Sequence, residues 1–134
     1  MCAYKSKVID NILYDKVSGE LDAELANEWV DNLEHHESST NRSLHRVHDV
    51  RDINAIHLSF DDLWAIAQRR LNVYQSGHDT LSVFWVSTPL NYGVARMYQA
   101  LTDGTPFKIE VLYDINEVAD FLDVNQNIIE NINL

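Results

Sequence analysis

Hydrophobic residues along this chain follow two different periods, and the changes of period mark its elements. Residues 4–18 are rich in strand formers, with NIL at 11–13 running into YDKV at 14–17 and with Asn11 or Gly19 available for turns. One or two short strands are predicted there. From Asp22 the rhythm turns helical: Leu21, Leu25, Trp29 and Leu33 are four apart, and Asp22 can serve as N-cap. That helix is expected to fade by His36, with the polar run ESSTNRS as a loop. Residues 44–50, LHRVHDV, read as a short and rather polar strand. Ser59 then opens a second helix, with Asp62 completing a short-armed capping box. Phe60, Leu63, Trp64, Ala67, Leu71 and Tyr74 keep the rhythm of a buried stripe, Gln68, Arg69 and Arg70 fall off it, and Ser76-Gly77 is the expected end.

The segment from Leu81 to Leu122 is the most regular. LSVFWVS at 81–87 is almost continuously apolar, as a strand covered on both faces requires. Thr88 caps a third helix with Pro89 at its first position, where a missing N–H costs nothing. Val94, Met97, Tyr98 and Leu101 form its expected inward face, Tyr92, Arg96 and Gln99 another, and Asp103-Gly104 closes it. Phe107, Ile109, Val111 and Tyr113 alternate with Lys108 and Glu110, the pattern of a strand with one wet face or an edge. Asp114 with Glu117 caps a last helix whose inward positions are Ile115, Val118, Phe121 and Leu122. The tail NQNIIENINL has little helical drive and is expected to fray or to dock on a partner chain. Strand–helix repeats keep their strands parallel through right-handed crossovers, and the opening strands can add an antiparallel edge. The pattern predicts one α/β domain over residues 1–124, a mixed four- or five-stranded sheet, followed by a tail at 125–134. Whether its helices coat one face or two stays open at this level.

The chain has 134 residues, enough to bury a core without staples. Its formal charge of −11 disfavours nucleic acid and anionic membranes as partners, since Arg42, Arg46 and Arg51 are interrupted by Asp49 and Asp52. Cys2 is the single cysteine, which suits a reducing compartment. The start MCAYKSKVID lacks the apolar run of a signal peptide and no segment is long enough to span a bilayer, so a cytoplasmic location is expected.

No catalytic or cofactor motif stands out. His45 and His48 are three apart on an expected strand, which sends them to opposite faces, and His35-His36 diverge as neighbours do, so no metal and no cofactor is expected. Ser59 lies near His57 and Asp61, but a helix cap explains Ser59 equally well, and an enzyme is the lesser expectation. The glycines at 19, 77, 93 and 104 are isolated, which argues against a phosphate cradle. The helix N-terminus after Pro89 offers free N–H groups at the carboxyl end of the 81–87 strand. Pro89, Asn91, Tyr92 and Arg96 form the candidate rim for a ligand, an anion or a protein partner. Trp29, Trp64 and Trp85 are expected in the core, and Tyr92 at the surface.

VSGELD at 17–22, Val50–Ile53 leading into LSFDDLWAIA at 58–67, and NYGVARMYQAL at 91–101 followed by PFKIEVLYDINEVADFL together resemble the SpoIIAA-like, or STAS-like, proteins of bacteria over roughly residues 5–123. The resemblance implies a mixed four- or five-stranded sheet with helices mainly on one face. It also implies relatives that antagonise anti-sigma factors and are switched by phosphorylation of a serine at a helix start. Ser59 is the matching position, in His57-Leu58-Ser59-Phe60, where the aspartate and glycine of that family loop are absent. The leading expectation is a non-enzymatic regulatory or scaffold module acting through protein contacts or self-association. The alternative is a small-ligand or anion sensor using the rim around Pro89, Tyr92 and Arg96.

Overall fold

Five strands and five helices follow from these patterns in the computed structural model, which describes residues 3–39, 44–74, 80–104 and 107–132. In chain order they are β1 (Ala3–Ile9), β2 (Ile12–Asp22), α1 (Ala23–Ser39), β3 (His45–His57), α2 (Phe60–Tyr74), β4 (Thr80–Trp85), α3 (Pro89–Leu101), β5 (Phe107–Leu112), α4 (Ile115–Leu122) and α5 (Gln126–Glu130). The sheet order is β1-β2-β3-β4-β5, with β1 antiparallel to β2 and every other pair parallel. Asp10-Asn11 makes a two-residue hairpin between Ile9 and Ile12, with Asp10 in the left-handed region at φ 54.

Period two along the strands sends residues to two covered faces. Val17, Leu21, Val50 and Val111 pack against Ala26 and Val30 of α1, Ile66 of α2 and Ala95 of α3. Ile12, Tyr14, Val47, Val83 and Trp85 pack against Val118, Ala119 and Leu122 of α4 and Ile129 of α5. The three long helices therefore share one face and the two short ones lie on the other.

The expected caps are present. Asp22 Oδ1 accepts from Leu25 N at 2.8 Å, Thr88 accepts from Asn91 N, and Asp114 accepts from Asn116 N. Ser59 and Asp62 form the reciprocal pair, at 2.9 and 3.0 Å.

Several expectations need correcting. Helix α1 runs past His36 to Ser39, taking in Glu37, whose carboxylate binds two arginines. Strand β3 continues to His57 rather than stopping at Val50. On α2 the inward face is Leu63, Ile66, Ala67 and Arg70. Trp64 is 49% exposed and Phe60 is also exposed, while Arg70 is 1% exposed. The stripe was displaced because an arginine buried with its counter-ions occupies an inward position that a hydrophobicity pattern reads as outward. On α3, Asn91 and Ala95 are buried and Met97 is exposed. The tail does not fray: Asn125 caps α5, and Ile129 is buried against Val118 and Trp85 in the protein's own core. Residues 40–43, Cys2, Ser76-Gly77 and the side chain of Tyr74 lie outside the described residues.

Candidate functional site

Beyond Asp49, β3 loses its neighbour on one side. Strand β4 pairs only with Arg46–Asp49, while β2 continues to pair with β3 as far as His57. This projecting arm carries two irregularities. Lys16 pairs with Asp49 but Ser18 with Asp52, and Gly19 pairs with Ile53 but Glu20 with Ala55. At each step β3 contributes one more residue than β2, and Gly19 adopts φ 90 between them. The bulges convert period two into period three, so Val50, Ile53 and Ile56 all reach the face under α1–α3.

Asn91, in the first turn of α3, replaces the missing strand. Its Nδ2 donates to the carbonyls of Val50 at 2.9 Å and Ile53 at 3.2 Å. These two contacts fix the amide orientation, because a flipped side chain would set oxygen against oxygen. Asn91 Oδ1 consequently points away from the strand, and no hydrogen-bond donor reaches it although the residue is 2% exposed. It lines a cavity of about 100 Å³ between the sheet and α1–α3. The cavity wall is mainly apolar, including Leu21, Val30, Ile53, Ile66, Phe84 and Val94.

Buried polar side chains enter the same wall. Both oxygens of Asp15 lie 2.9 Å from His48 Nδ1, and Trp29 Nε1 donates to Asp15 Oδ2 at 3.0 Å. Nδ1 of His48 is thereby committed to the Asp15 carboxylate. His48 is buried between the rings of Trp29 and Phe84, at 5.3 and 5.0 Å between centroids. Arg46 and Arg70 also line the cavity, but Glu37 engages both. Arg70 meets the two Glu37 oxygens at 2.8 Å each, and Arg69 holds Asp31 and Glu34 at 2.6 Å. Burial alone would raise the Glu37 carboxyl, but Arg70 and Arg46 outweigh it and hold it below its usual range.

A second buried carboxylate faces α4 and α5. Tyr14 Oη donates to Asp49 Oδ2 at 2.8 Å, and Arg51 donates through Nε and Nη2 at 2.9 Å each. The guanidinium lies 3.5 Å from the Trp85 ring centroid. Burial pushes the Tyr14 hydroxyl upward, and Asp49 adds to it. This cluster braces the sheet where β4 ends, and each of its charges is answered.

The rim residues are only partly brought together. Pro89 and Arg96 are exposed, and Arg96 lies 5.9 Å from the Tyr92 ring centroid rather than in a salt bridge with any described residue. Tyr92 is half-buried, stacked on Tyr113 at 5.4 Å and 20°. Asn91 belongs beneath the rim, in the cavity wall. Ser59 is exposed and committed to its cap, where Asp61 and Asp62 would repel a phosphate. No hydrogen bond links His57, Ser59 and Asp61. Among the described residues no three His, Cys, Asp or Glu side chains converge as metal ligands would. No described helix is long and apolar enough to cross a membrane.

Asp15, His48 and Arg70 were not visible as site residues in the sequence. The one available signal was charge at inward positions of otherwise apolar strands, as at Asp15 between Leu13 and Val17 on one strand face.

No protein-family model matches the sequence, and no curated protein matches it. A solved structure does: an uncharacterized protein of the DUF3478 family with a SpoIIAA-like fold, from Shewanella loihica PV-4. The match covers 90% of this chain and 93% of that one at a TM-score of 0.59 and 15% identity. The fold is therefore SpoIIAA-like, and at that identity the likeness concerns fold alone.

Proposed function

We propose that this protein is a non-enzymatic module that binds a small molecule between its sheet and α1–α3. The observation behind this reading is the apolar cavity lined in part by Asn91, whose buried Oδ1 no donor reaches. A buried acceptor without a donor costs about 1–3 kcal/mol. Unfilled apolar volume adds roughly 24 cal/mol per Å³, or about 2 kcal/mol for this cavity. A structural core has no use for either cost, whereas a binding site recovers both when occupied. The reading moves the ligand expectation inward, from the rim of Pro89, Tyr92 and Arg96 to the space beneath it, with Asn91 common to both.

Furan titration followed by methyl carbon–proton NMR tests the proposal. Saturable shifts confined to methyls such as Ile53, Ile66 and Val94 are expected, and Ala95→Leu should abolish them by filling the cavity. Shifts that are absent, or that are spread over the surface, would remove the cavity as a binding site.

A second reading, regulation through protein contacts or self-association, is supported by the outer surfaces of α2 and α3. They expose Phe60 and Trp64, and Leu90 and Met97, respectively. An oligomer in sedimentation velocity that Trp64→Ser dissociates would favour it. A monomer at all concentrations, with no partner co-purifying, would weigh against it.

A further inference from the structure

The polar residues of the cavity wall define the chemistry of its occupant, if the small-molecule reading above is taken as the starting point. Asn91 Oδ1 is an acceptor, because Nδ2 is committed to the Val50 and Ile53 carbonyls. The cations in the wall are balanced by carboxylates of α1: Arg46 and Arg70 by Glu37, with Glu34 a further 3.3 Å contact to Arg70. An anionic ligand would have to break those pairs, while a hydrocarbon would leave Asn91 Oδ1 as it stands.

We infer that the cavity selects a small, neutral, largely apolar molecule that brings one O–H or N–H donor, received by Asn91 Oδ1. Size is limited as well. At about 100 Å³ the space is smaller than the roughly 150 Å³ apolar cavity known to admit benzene. The occupant is therefore on the scale of a five-membered ring or a short aliphatic alcohol. Phe84 and the apolar arm residues Ile53 and Ile56 supply the ring contacts.

Pyrrole and furan have nearly the same size and shape, and only pyrrole carries an N–H donor. Butyrate is a small anion of similar apolar content. Titrating each into the intact protein, with the Asn91 side-chain amide followed by nitrogen–proton NMR, separates the classes. Pyrrole should bind at least about tenfold more tightly than furan, since a site with a buried acceptor disfavours the analogue that leaves it unpaired. Butyrate should bind more weakly than either, and the Asn91 amide should shift with pyrrole. Where Asn91→Leu folds, it should bind pyrrole and furan alike. If it does not fold, the wild-type comparison decides. Equal affinities for pyrrole and furan would overturn the donor inference while leaving the cavity a binding site. Tightest binding by butyrate would overturn it in favour of anion recognition by Arg46 and Arg70. Failure of all three would overturn the small-molecule reading itself.

Discussion

Replacing Tyr14 with Phe removes one hydrogen bond while keeping the ring in place. Tyr14 Oη donates to Asp49 Oδ2 at 2.8 Å, and both residues are buried. A hydrogen bond to an ionised acceptor contributes about 1.5–3 kcal/mol. Asp49 retains Arg51 Nε, Nη2 and backbone N at 2.9, 2.9 and 3.2 Å, so the carboxylate is not stranded. The expected loss therefore lies low in that range, about 2 kcal/mol, or roughly 6–10 °C in Tm for a chain of this size. Urea denaturation at neutral pH, read by circular dichroism, measures it. The pH dependence gives a second check. Burial by itself would raise the Asp49 carboxyl, but hydrogen bonds from Arg51 and Tyr14 outweigh it and hold the folded value below 3.8. Since the folded state binds this proton less readily than the unfolded chain, the stabilisation is complete above about pH 5. It is lost as pH falls through 3.8 and on through the folded value. The Tyr14→Phe penalty should shrink over the same window toward the ~1 kcal/mol of a neutral hydrogen bond. A penalty below about 0.5 kcal/mol at neutral pH, or one that stays constant into strong acid, contradicts the argument.

Three other outcomes follow from the packing. Trp64→Ser should cost less than about 1 kcal/mol in chemical denaturation, because the indole is half exposed; a loss of about 3–5 kcal/mol, typical of a core aromatic, would restore the buried stripe read from the sequence. Ile129→Ala should cost about 2–4 kcal/mol, since α5 is part of the core rather than a loose tail; a neutral variant would mean that α5 does not pack there. Burial and Asp15 push the Tyr4 hydroxyl up to about 12, and burial with Asp49 raises that of Tyr14 as well. Both groups hold their protons more tightly when folded, so their contribution is complete below the usual 10.0 and is lost as pH rises through the folded values. Absorbance titration near 295 nm should show two of the six tyrosines ionising late and together with unfolding; six tyrosines titrating alike in the folded protein would refute this.

The sequence by itself determined the elements and the fold class, because caps and hydrophobic period are local. Asp22, Ser59 with Asp62, Thr88-Pro89 and Asp114 each mark a helix start through atoms only two or three residues away. The apolar run at β4 and the alternation at β5 gave a central and an edge strand for the same reason. The mixed SpoIIAA-like sheet followed from their order. Tertiary structure decided what depends on partners far along the chain. Arg70 is inward because Glu37 lies opposite it, so α2 presents Trp64 to solvent. Strand β3 extends to His57 because β2 continues to pair with it and Asn91 supplies the missing donors, although its bulges erase the alternation that would have revealed it. Asn91 looked like one polar residue on a helix rim. Its importance lies in the two carbonyls 38 and 41 residues earlier in the chain, which hold its amide and leave its oxygen without a donor. A hydrophobic pattern records which residues avoid water, while the site is made by polar groups that left water because distant partners received them.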